Sequence, residues 1–218
     1  MTKDAFIERI SFPAERGHHG AALGNGCLGL LLWGSGRTLR VSIGCCALWD
    51  HEGGIEEYPA EFRMENVKQA LAQGNEAFLR QCAGEGQSHP PSMIPAGRLE
   101  IQLPEGAQLE ECLLPLDSGK AIVRYRRNNA SSGELEFLLG RGQEMQALFA
   151  VKNPEHFSCR LISSQELNSD GFFSKNHYPP ISRLCARPRA VHSRRNSADG
   201  FVQNLPEGGG YALRQSLT

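Results

Sequence analysis

The sequence predicts a mainly all-β fold, an antiparallel sandwich with one short helical excursion near residues 60–82. Three observations carry this expectation. Most segments with a readable period alternate apolar with polar residues rather than repeating at helical spacing. Gly, Pro, Asn and Asp interrupt them at short intervals, with 24 Gly and 12 Pro among 218 residues. The apolar fraction, 40% against 22% charged, is that of an ordinary globular chain able to bury a core.

In chain order, strands are expected over Phe6–Phe12, Cys27–Trp33, Thr38–Ile43, Arg98–Leu103, Leu109–Leu116, Ala121–Arg126, Glu134–Leu139, Glu144–Val151 and Phe157–Ser163, then near Ile181–Val191, Gly200–Gln203 and Tyr211–Arg214. The hairpin with the clearest turn chemistry joins Leu109–Leu116 to Ala121–Arg126 through Asp117-Ser118-Gly119-Lys120. In its second strand Ile122, Arg124 and Arg126 point one way and Ala121, Val123 and Tyr125 the other, so one face of that sheet is wet. The helical pattern runs from Ala60 to Gln73, with Phe62, Val67, Ala70 and Leu71 on one face and Gly74 ending it. Asn75 is placed to cap a second helix, Glu76–Cys82. Ala83–Pro95 is rich in Gly, Ser and Pro and reads as an irregular loop, because β-patterns flank it on both sides. With no composition break and no internal repeat, residues 1–218 read as a single β-sandwich domain.

Charge and patterning exclude several functions. The 23 basic and 24 acidic side chains leave a net charge of −1, with no field to attract nucleic acid or an acidic membrane. The longest apolar runs, Cys27–Trp33 and Ala147–Val151, fall far short of the ~20 residues of a membrane helix. No apolar segment at the N-terminus resembles a secretory signal, so a cytoplasmic location is expected. Seven Cys with no C-x-x-C pair suggest reduced, mostly buried thiols.

Metal binding is not expected either. His18-His19 with Cys27, or Cys45-Cys46 with His51, lack zinc-ligand spacing, and neighbours on a strand face opposite ways. No cofactor is expected. Gly24-Asn25-Gly26-Cys27-Leu28-Gly29 matches the letters of a dinucleotide fingerprint, but no helical length follows before Gly34. Arg183, Arg187, Arg189, Arg194 and Arg195 with His192 form a local basic cluster without interleaved aromatics, which reads as a solvated or domain-docking face. A Cys–His nucleophilic pair stays open, since its members can be distant in sequence.

Leu23-Gly24-Asn25-Gly26-Cys27-Leu28-Gly29, then Trp33-Gly34, Leu39–Ile43 and Leu48-Trp49-Asp50, are followed by Ile94-Pro95-Ala96-Gly97-Arg98-Leu99-Glu100-Ile101 and Leu114-Pro115-Leu116-Asp117-Ser118-Gly119-Lys120-Ala121. In order and spacing this series resembles the N-terminal domain of glycoside hydrolases of family 95 and the related family 65. Gly200–Gln203 and Tyr211–Arg214 resemble that domain's closing strands. The resemblance implies a galactose-mutarotase-like β-supersandwich of two large antiparallel sheets. It also implies that the catalytic groups lie in a following (α/α)6 helical barrel, for which this chain has no matching stretch. No catalytic residue is therefore carried over, and the expected partners are that barrel, or a second copy, together with carbohydrate.

Trp49-Asp50-His51-Glu52 on a Gly-flanked loop holds the inventory of a sugar subsite: an aromatic face, carboxylates and an imidazole. The competing reading folds the indole into the core beside solvated charges. Asn25 between two glycines either presents its amide to a ligand or forms a tight turn. The leading functional expectation is an accessory β-domain that packs on a glycosidase barrel and shapes its active site, exposing an apolar patch where the barrel docks. A stand-alone carbohydrate-binding module would instead show an open aromatic site near Trp49 or Trp33. An aldose-epimerase-like enzyme would need a paired general acid and base, and no motif places one.

Overall fold

The computed structural model describes residues 6–50, 61–82, 92–127, 131–140, 147–151, 157–171, 191–192, 198–204 and 210–216. The chain divides into two compact units, one formed by Met1–Leu48 with Ile94–Thr218 and the other by Trp49–Met93.

The larger unit is a β-sandwich. Its first sheet contains β1 (Ile7–Ser11), and its second contains β2 (Ala21–Gly24), β3 (Leu28–Ser35) and β4 (Thr38–Cys45). The other unit begins at β5 (Trp49–Asp50), continues through α1 (Met64–Gln73) and α2 (Glu76–Cys82), and ends at β6 (Ser92–Met93). The sandwich then resumes with β7 (Gly97–Gln102), β8 (Ala107–Pro115), β9 (Lys120–Arg127), β10 (Ser131–Leu139), β11 (Ala147–Val151), β12 (Ser158–Ser163) and α3 (Ser164–Ser169). A three-stranded sheet of β13 (Val191–His192), β14 (Ala198–Asn204) and β15 (Gly210–Ser216) follows, in the order β13-β14-β15.

Both main sheets have five strands, ordered β1-β8-β9-β10-β11 and β12-β7-β4-β3-β2, and all their pairings are antiparallel. One apolar cluster joins their inner faces, with Leu32, Leu39, Val41 and Ile101 from one sheet meeting Cys112, Val123, Leu135 and Phe137 from the other. Strict alternation in the sequence produces this arrangement. Ala121, Val123 and Tyr125 are buried, while Arg124 and Arg126 stand on the outer face.

That outer face is a ladder of ions. Arg9 Nη1 reaches Glu111 Oε2 at 3.2 Å, Arg124 Nη1 reaches Glu111 Oε1 at 3.1 Å, and Arg124 Nε donates to Glu134 Oε1 at 2.8 Å. Four strands, β1, β8, β9 and β10, are thereby tied across their wet side. On the inner face Tyr125 lies directly over Gly133, which it opposes in register, and a Cβ there would clash with the phenol ring.

A smaller cluster of Cys45, Leu48, Ile94, Ala96, Ile162 and Leu167 packs under α3. This helix was not expected from the periodicity, although its start is written in the sequence. Ser163 and Glu166 form a capping box, the Ser163 hydroxyl accepting from the Glu166 N–H and the Glu166 carboxylate accepting from the Ser163 N–H.

In the second unit α1 begins at Met64 rather than Ala60. Phe62 lies before the helix and packs edge-on against Phe78 of α2, with ring centroids 5.6 Å apart. The expected apolar face of Phe62, Val67, Ala70 and Leu71 buries only Ala70, and Leu71 is 62% exposed. Gly74 ends α1 in the left-handed conformation, and Asn75 Oδ1 accepts from the Phe78 N–H at the start of α2. One strand, β6, lies in the stretch expected to be an irregular loop, and β2 lies where the sequence predicts no strand. The expected strand near Ile181–Val191 and the basic cluster fall outside the described residues, apart from Val191 and His192.

Candidate functional site

Trp49 starts the two-residue strand β5, where the chain has just left the last residue of the sandwich, Leu48. Its partner across the ladder is Met93 of β6, and Asp50 stands opposite Ser92. Directly opposed residues of an antiparallel pair share a face, and both members of this pair are open to solvent: Trp49 is 45% exposed and Met93 52%. The indole is therefore not folded into the core. The opposed pair presents exposed apolar surface at the start of the second unit.

Asp50 is placed by its backbone in β5, and His51 lies outside the described residues. Asn25 belongs to the other unit, in the turn between β2 and β3. Its Oδ1 accepts from the N–H groups of Cys27 at 3.0 Å and Leu28 at 2.8 Å, and its Nδ2 donates to Gly140 O at 2.9 Å. These bonds are those of a turn-holding side chain. Gly26 beside it sits at φ 90°, where a Cβ would be strained. No helix follows the Gly24–Gly29 series, which instead bends into β3.

Trp33, the other aromatic weighed as an open platform, is buried. The guanidinium carbons of Arg40 and Arg98 lie 5.1 and 5.9 Å from its ring centroid, and its Nε1 donates to Ser42 Oγ at 2.9 Å. Glu100 bridges both arginines, 3.0 Å from Arg98 and 3.3 Å from Arg40. Burial lowers the Arg98 pKa, Glu100 opposes that shift and Arg40 adds to it. Sequence periodicity gave no sign of this stack, since it assembles residues from three different strands.

The thiols divide by environment. Cys112 is fully buried, and burial with help from Glu111 pushes its pKa up to about 12. Burial also raises Cys159. Cys45 is buried, Cys46 is exposed, and Cys27, Cys82 and Cys159 are part-buried, so among the described thiols only Cys45 and Cys112 are buried. Among the described residues no group of three or more His, Cys, Asp or Glu is gathered to hold a metal ion, and no helix is long and apolar enough to cross a membrane.

Other apolar side chains are open as well. Phe6 and Leu116, at 53% and 65% exposure, are neighbours at the edge of the first sheet, where the Leu116 N–H donates to Phe6 O at 2.9 Å. No protein-family model matches this chain, and a search of curated proteins finds no match.

Proposed function

We propose that this chain is the β-sandwich domain of a glycoside hydrolase resembling families 95 and 65, and that it packs on and shapes the active site of a following helical barrel that cleaves the glycosidic bond. The observation that carries the reading is where the resembling segments fall. The Leu23–Gly29 series makes the β2–β3 turn, Trp33-Gly34 closes β3, Gly97–Ile101 is β7 beside β4, and Leu114–Ala121 is the β8–β9 hairpin of the facing sheet. These four segments, scattered through the sequence, become turns and strands of one antiparallel sandwich, whereas Trp49-Asp50 belongs to the second unit and the Gly200–Gln203 and Tyr211–Arg214 segments pair in a separate three-stranded sheet. The test is to read the coding sequence beyond the Thr218 codon. An in-frame region encoding an (α/α)6 barrel is expected, and its product should hydrolyse aryl glycosides; a stop codon followed by an unrelated gene would overturn the reading.

A second reading, a stand-alone carbohydrate-binding module, is favoured by one observation, the open Trp49–Met93 pair. Affinity electrophoresis in gels containing soluble polysaccharides checks it. Retardation by at least one glycan, abolished by Trp49→Ala, is the expected result on that reading, and equal mobility in every gel opposes it.

A further inference from the structure

Cys27 and Cys46 lie just beyond the paired ends of β3 and β4. The register of these strands sets Leu28 opposite Cys45, and one further step sets Cys27 opposite Cys46. The step is made, because the Cys46 N–H donates to Cys27 O at 2.9 Å. Leu28 and Cys45 are both buried, so alternation turns Cys27 and Cys46 toward the other face of the sheet. Their accessibility agrees: Cys46 is exposed and Cys27 part-buried. Residues opposed across an antiparallel ladder stand about 4.5–5.5 Å apart at Cα. Disulfides bridge Cα separations of about 4.4–6.8 Å.

The backbone at this point is held from both sides. Asn25 Oδ1 accepts from the Cys27 N–H, and Cys46 donates to the Cys27 carbonyl. The turn after Cys46 is closed by the Leu48 N–H donating to Cys45 O at 3.0 Å. Little of the geometry has to be searched for once one sulfur is activated. By contrast Cys45, the sequence neighbour of Cys46, faces the small core cluster under α3.

We infer that Cys27 and Cys46 form a reversible cross-strand disulfide when the protein meets a peroxide. The exposed Cys46 sulfur attacks one peroxide oxygen as its thiol gives up its proton, the O–O bond breaks, and Cys46 becomes a sulfenic acid while the departing oxygen takes up that proton and leaves as water or an alcohol. The Cys27 sulfur then attacks the Cys46 sulfur, the S–S bond forms, and the hydroxyl departs as water with the Cys27 proton. Each sulfur loses one electron, and the peroxide takes both. A dithiol reverses the reaction. The bond would staple the sandwich two residues before the chain leaves it at Leu48.

The test is hydrogen peroxide treatment of the folded chain, alkylation without reductant, trypsin digestion and fragmentation mass spectrometry. Trypsin releases Cys27 in peptide 17–37 and Cys46 in peptide 41–63. The expected product is these two peptides joined, lighter by two hydrogens, with fragmentation between Cys45 and Cys46 assigning the bond to Cys46. It should disappear in Cys46→Ser and in Cys27→Ser, and should lose its selectivity over the other thiols when the chain is first unfolded in urea. Three results would each overturn the inference: a Cys46 sulfenic acid trapped by dimedone with no cross-link, a link through Cys45, or a Cys46 disulfide between two copies of the chain.

Discussion

Replacing Asn25 by Ala removes the acceptor for two backbone N–H groups and the donor to Gly140 O in a single change. A cost of about 1–3 kcal/mol is expected, read as a lower urea midpoint. Asn25→Asp keeps the acceptor and should fall between wild type and Asn25→Ala; equal losses would mean that the Gly140 bond alone matters. Cys112 supplies a pH test. Burial pushes its folded pKa up to about 12, well above that of a free thiol, so the folded state holds this proton more tightly than the unfolded chain does. Stability from this group is fully present below about pH 9 and falls by about 1.4 kcal/mol per pH unit as pH rises toward 12. Urea midpoints across that range should fall more steeply in wild type than in Cys112→Ala, in which burial of Cys159 and Tyr125 still leaves a shallower slope. The turn at Asn25 was legible in the sequence, because an amide between two glycines is itself turn chemistry. The exposure of Trp49 was not, since a short strand beside glycines has the same letters whether its indole is covered or open. The Trp33 stack was equally hidden, because the sequence does not show which arginines a fold will lay over one ring.

At the scale of the element, the sheets owe their legibility to alternation. In β9 every second residue is apolar, and those residues line the core. Where alternation is too short to read, the sequence is silent: β2 has four residues and β6 two, and a partner distant in sequence defines β6. In α3 a legible signal was available, the Ser163–Glu166 capping box, but six residues are too few to display a helical period. The start of α1 was misplaced because Phe62 has the right spacing for its apolar face yet packs on Phe78 instead. The ion ladder across β1, β8, β9 and β10 makes a modest, salt-dependent contribution. Arg124→Gln is expected to cost about 1 kcal/mol or less at low ionic strength and still less in concentrated salt, because Arg124 is 39% exposed. Urea titrations at the two salt concentrations measure this. The helices α1 and α2 bury only Ala70 between them, so they should open locally well before the sandwich unfolds. Hydrogen exchange of their amides is expected to run about tenfold or more faster than that of β4, β7 and β9. Equal protection would mean that the helices open only with global unfolding.

Across the whole molecule, Trp49–Met93 is an insertion whose two ends meet. The Ile94 N–H donates to Leu48 O at 2.9 Å, closing the sandwich at the point where the inserted unit departs and returns. Replacing residues 49–93 by a short Gly-Ser link should therefore leave a cooperatively folding β-sandwich. Circular dichroism and thermal denaturation check this, and a non-cooperative transition would show that the sandwich depends on the insertion. The pairing of β1 with β8 has a different consequence, one of time. Ile7 waits for Pro115, more than 100 residues later in the chain. At a synthesis rate of about 5–20 residues per second, the first strand spends roughly 5–20 seconds outside the ribosome before its neighbour exists. Throughout that interval a five-residue strand beside Phe6 has no native ladder to join, so β1 stays exposed to aggregation until β8 has been made.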